Sequence, residues 1–342
     1  MINLGWRSFF ESQLRDDDAA LLRARIVAMH RQRAQLLGDD IDAAAPLAGN
    51  AATLQLTVGD WVLVDPTGPR IVRRLDRFAL FQRRGAGTSG RIQPIAANVD
   101  TLFIVTSANR DFNVARLERY LAIAHDAGAH PVVVITKSDL ADSVSDQVKQ
   151  ASQLSPGLLV EALDARDPAQ VAVLQGWCGP GQTVALVGSS GVGKSTLINT
   201  LTGSALATSA VREDDQRGRH TTTGRSMHQL PGGGWLIDTP GMRELQLVDV
   251  ADAIEDVFAE VAELAQSCRF ADCTHTGEPG CAVLAAIDAG KLDAGRLQRY
   301  HKLQREDRHN TATLAERRAR DKRFGKMVKT VMAEKQQEKG NK

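Results

Sequence analysis

Apolar and polar positions follow three rhythms along this chain. From residue 53 to about 98, short apolar runs alternate with polar residues and are broken by Gly and Pro. The runs at 54–58, 61–64, 71–72 and 78–81 are separated by Gly59 with Asp60 and by a turn holding Pro66, Gly68 and Pro69. Short strands with tight turns predict a small β-barrel. Seven arginines over 61–98 suit a barrel of the oligonucleotide-binding (OB) type, though any small β-barrel would give the same pattern. Before this unit the pattern is mixed: 21–37 is Arg-rich with uneven apolar spacing, and 42–52, rich in Ala, Pro and Gly, reads as a loop. From Val99 the rhythm becomes α/β, with strands expected at 101–106, 131–135, 158–160, 183–187 and 235–237. Helices are expected at 114–127, closed by Gly128, and at 143–154, 171–177 and 194–201. Such alternation means a parallel sheet covered on both faces. From 251 the pattern is helical again, at 251–266, 283–289 and 292–303, and 304–342 is polar and basic. The expectation is a multidomain α/β chain: an N-terminal extension and OB-type β-barrel over 1–98, an α/β domain over 99–250, and a helical C-terminal domain over 251–342.

Two motifs in the middle domain carry phosphate and base chemistry. Gly188, Ser189, Ser190, Gly191, Val192, Gly193, Lys194, Ser195 and Thr196 follow a strand and open a helix, matching GxxxxGK[ST]. The glycines let backbone N–H groups converge on phosphate oxygens, Lys194 reaches the β- and γ-phosphates, and Ser195 offers a hydroxyl to Mg²⁺. Thr136, Lys137, Ser138 and Asp139 follow another strand. An aspartate there accepts the N1–H and N2–H donors of guanine and rejects adenine, which lacks them. Lys137 is expected to pack against the P-loop. Thr136 stands where Asn is usual. The stretch Glu161 to Leu163 lacks the Ser-Ala pair that commonly supplies a further base contact, so no residue is assigned there. In an ordinary GTPase the guanine motif follows the P-loop; here it precedes it, so the domain reads as circularly permuted.

After the P-loop helix, 218–224 offers three threonines, of which Thr222 is taken as the Mg²⁺ and switch ligand, with Thr221 and Thr223 as alternatives. Asp238 and Gly241 form DxxG at a strand end, the aspartate holding Mg²⁺ through water and the Gly241 amide sensing the γ-phosphate. Met242 stands where many GTPases place a water-orienting glutamine, and His220 is the candidate substitute. A second glycine-rich run, Gly85, Gly87 and Gly90, mimics a dinucleotide fingerprint, but Pro94 forbids the helix that fingerprint requires.

Cys268, Cys273, His275 and Cys281 lie within fourteen residues of one another. Three thiolates and an imidazole at this spacing suit one tetrahedral structural Zn²⁺. The fourth cysteine, Cys178, stands apart and is given no role. Four cysteines, three of them clustered, do not make a secreted disulfide framework. No apolar run reaches the roughly 18 residues needed to span a bilayer. The N-terminus runs from Trp6, Phe9 and Phe10 into acidic residues rather than a signal peptide, so the chain is read as cytoplasmic, with no membrane partner, and as a monomer. Net charge over all 342 residues is +1, yet residues 291–342 carry 16 Lys and Arg against 7 Asp and Glu. A basic tail on a mildly acidic body points to a polyanion such as RNA.

With these motifs in place, the chain resembles the ribosome small-subunit-dependent GTPase A family (RsgA, or YjeQ). The resemblance covers nearly its whole length: Leu4 to Trp6 with Phe9 and Phe10, Gly59 to Val62, Ala97 to Asp100, the permuted 136–139 and 188–196 motifs, 218–223, 238–241 and the Cys/His knuckle. It implies an OB barrel, a permuted GTPase core and a zinc domain held by Cys268, Cys273, His275 and Cys281. It also implies a water-orienting role for His220, and late maturation of the small (30S) ribosomal subunit through its rRNA, with GTP hydrolysed to GDP under stimulation by that subunit. Departures are Thr136, the loop near Glu161 and the long N-terminal extension. Two alternatives remain: a nucleotide-gated rRNA-binding module with negligible catalysis, which shares every binding motif and differs only in turnover, and a P-loop kinase or ATPase, which Asp139 and the absence of an obvious acceptor site disfavour.

Overall fold

The computed structural model describes residues 2–49, 53–84, 92–109, 111–203, 225–238, 242 and 245–311. Its centre is a parallel sheet of β8 (Thr101–Ser107), β9 (His130–Thr136), β10 (Leu159–Ala162), β11 (Thr183–Val187) and β13 (Trp235–Asp238), ordered β10-β9-β8-β11-β13. The apolar runs are unbroken because both faces are covered. In β8, Leu102 and Ile104 enter the core on one face, while Phe103 and Val105 enter the core on the other. The first face is covered by α2 (Val114–Ala127) and the second by α5 (Lys194–Thr202). The expected end of α2 holds: Gly128 takes the left-handed C-cap at φ +75°, and Asn113 caps the start by accepting from Arg116 N–H.

The N-terminal third departs most from expectation. Residues read as uneven form β1 (Leu22–Met29) and β2 (Arg33–Gly38), and the expected loop forms β3 (Ile41–Pro46). Their inward side chains, Ala24, Ile26, Ala34, Leu36 and Ala45, build a small core with Val62, Val64 and Ile71. Three of these five inward positions are alanines, whose weak hydrophobic contrast hid the period of two. Conversely, 54–58 does not form a strand. Asp60 accepts the Thr57 N–H at 2.7 Å and is gripped by Arg77, so the segment closes as a turn, with Val58 alone bridging to Ala96.

β1 pairs with β2, with β4 (Trp61–Val64) and, at Ala28 and Met29, with β12 (Arg225–Gln229). Thus one continuous sheet joins the N-terminal unit to the α/β core. β5 (Ile71–Arg74) pairs with β4, and β6 (Leu80–Arg84) with β7 (Ile92–Ala97) forms a separate hairpin. Among the described residues these strands do not close into a barrel, because β6 and β7 pair with each other and no ladder joins them to β3 or β5. Pro94 lies within β7, in agreement with the rejection of the dinucleotide reading; Gly85, Gly87 and Gly90 themselves lie outside the described residues.

The C-terminal helices are α6 (Ala251–Val257), α7 (Ala259–Ala265), α8 (Ala282–Asp288) and α9 (Ala294–Thr311). The single helix expected over 251–266 breaks at Phe258, whose fully buried ring packs on Tyr300 at 5.5 Å and under the Arg296 guanidinium at 4.2 Å. This packing turns two short helices around one aromatic pivot. Among the described residues, no helix is long and apolar enough to cross a membrane.

Candidate functional site

The sheet order places the two nucleotide motifs side by side despite their inverted order in the chain. The P-loop leaves the end of β11, the 136–139 loop leaves the end of β9, and β8 lies between those strands. Asp238 ends β13, the neighbour of β11 on its other side. All three segments therefore emerge from the carboxyl ends of parallel strands, where α/β sheets bind ligands.

Backbone geometry in the P-loop requires glycine. Gly188 has φ +146°, and a Cβ there would stand 2.2 Å from the Val105 carbonyl oxygen. Gly193 has φ +93° and a prospective Cβ contact of 3.2 Å with Thr136 Oγ1. Lys194, almost fully buried, begins α5, and its Nζ donates to the carbonyls of Gly188 (2.9 Å) and Ser189. The ammonium thus lies inside the loop, where phosphate oxygens would meet it at a helix N-terminus.

The 136–139 loop docks on the P-loop through its first two residues. Thr136 is fully buried, and its one hydroxyl hydrogen faces two carbonyls, Val192 O at 2.5 Å and Thr106 O at 3.0 Å. The threonine in place of asparagine therefore still ties this strand end to the P-loop. Lys137, in the left-handed region at φ +58°, donates from Nζ to Gly191 O at 2.7 Å. Ser138 N–H reaches Leu163 O at 3.4 Å. Asp139 is held by Arg166, whose Nη2 donates to its Oδ2 at 2.6 Å. Arg166 also forks onto Asp164, with Nε–Oδ1 at 3.0 Å and Nη2–Oδ2 at 2.8 Å. That bond, with the Arg166 backbone N–H, holds the Asp164 carboxyl below its usual range. Arg166 was not singled out from sequence. The available signal was the charged Asp-x-Arg that follows the 161–163 stretch, and charged loop residues are ordinarily read as solvated.

Met242 is buried in the main core, so the residue after the DxxG glycine offers no polar group to water. His220, Thr222, Thr221, Thr223 and Gly241 lie outside the described residues.

Cys268, Cys273, His275 and Cys281 come together as expected, with all four ligand atoms within 4.8 Å of one another. Sγ of Cys268 and Cys281 are 3.9 Å apart, and His275 Nδ1 lies 3.4 Å from Cys281 Sγ and 3.7 Å from Cys268 Sγ. A tetrahedron with metal–sulfur bonds of about 2.3 Å and metal–nitrogen bonds of about 2.0 Å has edges of roughly 3.5–3.8 Å. The donor set and its spacing fit a four-coordinate metal bound through Nδ1. Cys178 lies apart, buried, with its thiol pushed up to about 12 by desolvation.

The C-terminal helices are fastened to the α/β core through α9. Arg296, nearly fully buried, donates to Glu118 on α2 (2.8 Å), to Glu260 on α7 (2.5 Å), and to the Leu154 and Val257 carbonyls (3.0 and 2.6 Å). Arg299 also donates to Glu118, at 2.8 and 2.9 Å, and Arg119 bonds Glu306.

Comparison with known proteins places this arrangement. The RsgA GTPase family model matches residues 74–248. The chain is 53% identical over 315 residues, 91% of each chain, to a Mesorhizobium japonicum protein named small ribosomal subunit biogenesis GTPase RsgA. It is 51% identical to a Vibrio vulnificus protein named small ribosomal subunit biogenesis GTPase RsgA 2, covering 98% of this chain and 96% of the relative. Among solved structures it is similar to YjeQ from Thermotoga maritima, with TM-score 0.63 and 25% identity over 83% of this chain and 97% of that one. The fold is also that of YloQ, described as a circularly permuted GTPase, with TM-score 0.59 and 20% identity over 87% and 99%.

Proposed function

The chain belongs to the RsgA GTPase family, and from that premise we propose that it binds the small ribosomal subunit through rRNA, acts in its late maturation, and hydrolyses GTP to GDP and phosphate under its stimulation. The observation that carries the guanine-nucleotide reading is the docking of Thr136 and Lys137 on the P-loop carbonyls of Val192 and Gly191. Two motifs separated and reordered in sequence form one contiguous cradle.

In this reading Gly188 to Thr196 hold the phosphates and Thr136 to Asp139 hold the base. Ser195, Thr222 and Asp238 would hold a Mg²⁺ that would come with the nucleotide and neutralise phosphate charge, and Gly241 would sense the γ-phosphate. His220 would orient the attacking water. The knuckle takes one structural Zn²⁺, whose four-ligand set leaves no open position for catalysis. We assign an N-terminal unit of OB type to 1–98, the permuted GTPase domain to 99–250 and the zinc-binding domain with its basic tail to 251–342, in a cytoplasmic monomer. Two features support nucleotide control of the C-terminal domain: the segment after Asp238 leads directly to α6, and Arg296 ties α9 to α2, the helix between β8 and the guanine strand. GTP ordering of the switch segments can then bias the RNA-contacting module.

The buried Met242 favours slow unassisted turnover, on the order of 10⁻⁴–10⁻² s⁻¹. The same residue also leaves room for the second reading, a nucleotide-gated rRNA-binding module with negligible catalysis. The test is GTP hydrolysis with and without small subunits, with ATP and large subunits as controls. Strong stimulation by small subunits alone is expected. Tight GTP binding without stimulation would favour the gated binder.

A further inference from the structure

Asp139 sits in a single helical turn, Ser138–Leu140, at the rim of the guanine loop, and its carboxylate is partly solvent-exposed. A carboxylate reads guanine only if both oxygens face the base edge in one rotamer. The group that fixes it here comes from the loop after β10. Asp167 caps α4 (Pro168–Val171) and accepts from Gln170 Nε2; Gln170 Oε1 accepts the Asp164 N–H; Asp164 grips Arg166 through its fork and its backbone N–H; and Arg166 Nη2 reaches Asp139 Oδ2. The relay runs from a capped helix to the base-reading oxygen.

We propose that Arg166 is a positioning and specificity residue for the guanine base: held by Asp164, it sets the Asp139 carboxylate in the orientation that accepts N1–H and N2–H together. This rests on the guanine-nucleotide reading above. An ionised carboxylate has about four lone-pair sites. Guanine uses one on each oxygen and Arg166 a further one on Oδ2, so base and arginine bind the same carboxylate at once. Arg166 thereby takes over support that a Ser-Ala loop does not give here. Lysine is a poor substitute, because a single ammonium cannot fork onto Asp164 and also bridge to Asp139.

The experiment compares the full-length protein with Arg166→Ala and Arg166→Lys, measuring Kd for GDP, IDP and ADP with Mg²⁺. IDP lacks the exocyclic amine, so the GDP-to-IDP ratio reports the two-point contact rather than phosphate binding. The pair is largely exposed, which limits its size: Arg166→Ala should weaken GDP by about threefold to tenfold, with IDP much less affected. Arg166→Lys should fall between. Equal losses for GDP and IDP, as a merely structural loop contact would produce, or no loss for either, would overturn the proposal. A wild-type protein binding GDP no better than ADP would instead overturn the guanine reading itself.

Discussion

Arg296→Ala tests how the C-terminal helices are fastened to the nucleotide-binding core. The wild-type guanidinium makes bonds to two carboxylates and two backbone carbonyls, and Glu118 beneath it is fully buried. Truncation leaves the Leu154 and Val257 carbonyls without this donor and removes the cation stacked on Phe258. Glu118 keeps Arg299, so it is not stranded. Breaking one partner of a buried ion pair costs about 3–5 kcal/mol, and the surviving Arg299 bonds place this case near the lower end. At about 1.4 kcal/mol per decade, α9 should open at least about a hundredfold more often. Native-state hydrogen exchange reads that opening directly and avoids assuming a single cooperative transition in a multidomain chain. Amides of α9 and α7 should exchange about two orders of magnitude faster, while those of β9 change little. A change below about tenfold in α9 would refute the claim that Arg296 fastens the domains.

Lys194→Ala should weaken GTP binding by about a hundredfold, because the ammonium inside the P-loop is lost; calorimetric affinity within threefold of wild type would contradict the assignment. Thr136→Val removes the hydroxyl facing the Val192 carbonyl, so nucleotide affinity should fall by about threefold to tenfold with guanine preference over adenine retained; loss of that preference would show a direct role in base reading. Chelation should release the metal and make the three knuckle thiols reactive to a disulfide reagent, while Cys178, with its thiol pushed up to about 12, stays unreactive until unfolding; rapid reaction of all three before chelation would argue against a metal. Residues 312–342 carry 10 Lys and Arg against 4 Asp and Glu, so truncation after Thr311 should weaken small-subunit binding and flatten its salt dependence. The cut belongs there rather than near 303, because Glu306 and Asp307 bond Arg119 and Val250. An unchanged salt slope would remove the tail from the RNA-binding surface.

Elements whose chemistry is local could be read directly from the chain. The P-loop glycines, the 136–139 loop and the Cys/His spacing were legible because each motif needs particular residue types at fixed separations along one segment. The central strands were legible because burial on both faces writes an unbroken apolar run. Features that depend on partners distant in the chain emerged only on folding. Strands β1 to β3 became strands through cross-strand packing of small alanines, which leave little trace in a hydropathy pattern. The single sheet joining the N-terminal unit to the core rests on the Ala28–Ser226 register. The role of Thr136 is set by a carbonyl 56 residues away, and that of Arg296 by a carboxylate 178 residues away. Arg166 looked like an ordinary loop charge until folding set it against Asp139. Spacing encodes a ligand set held within one loop, whereas long-range hydrogen bonds and ion pairs are specified only when the chain has closed around them.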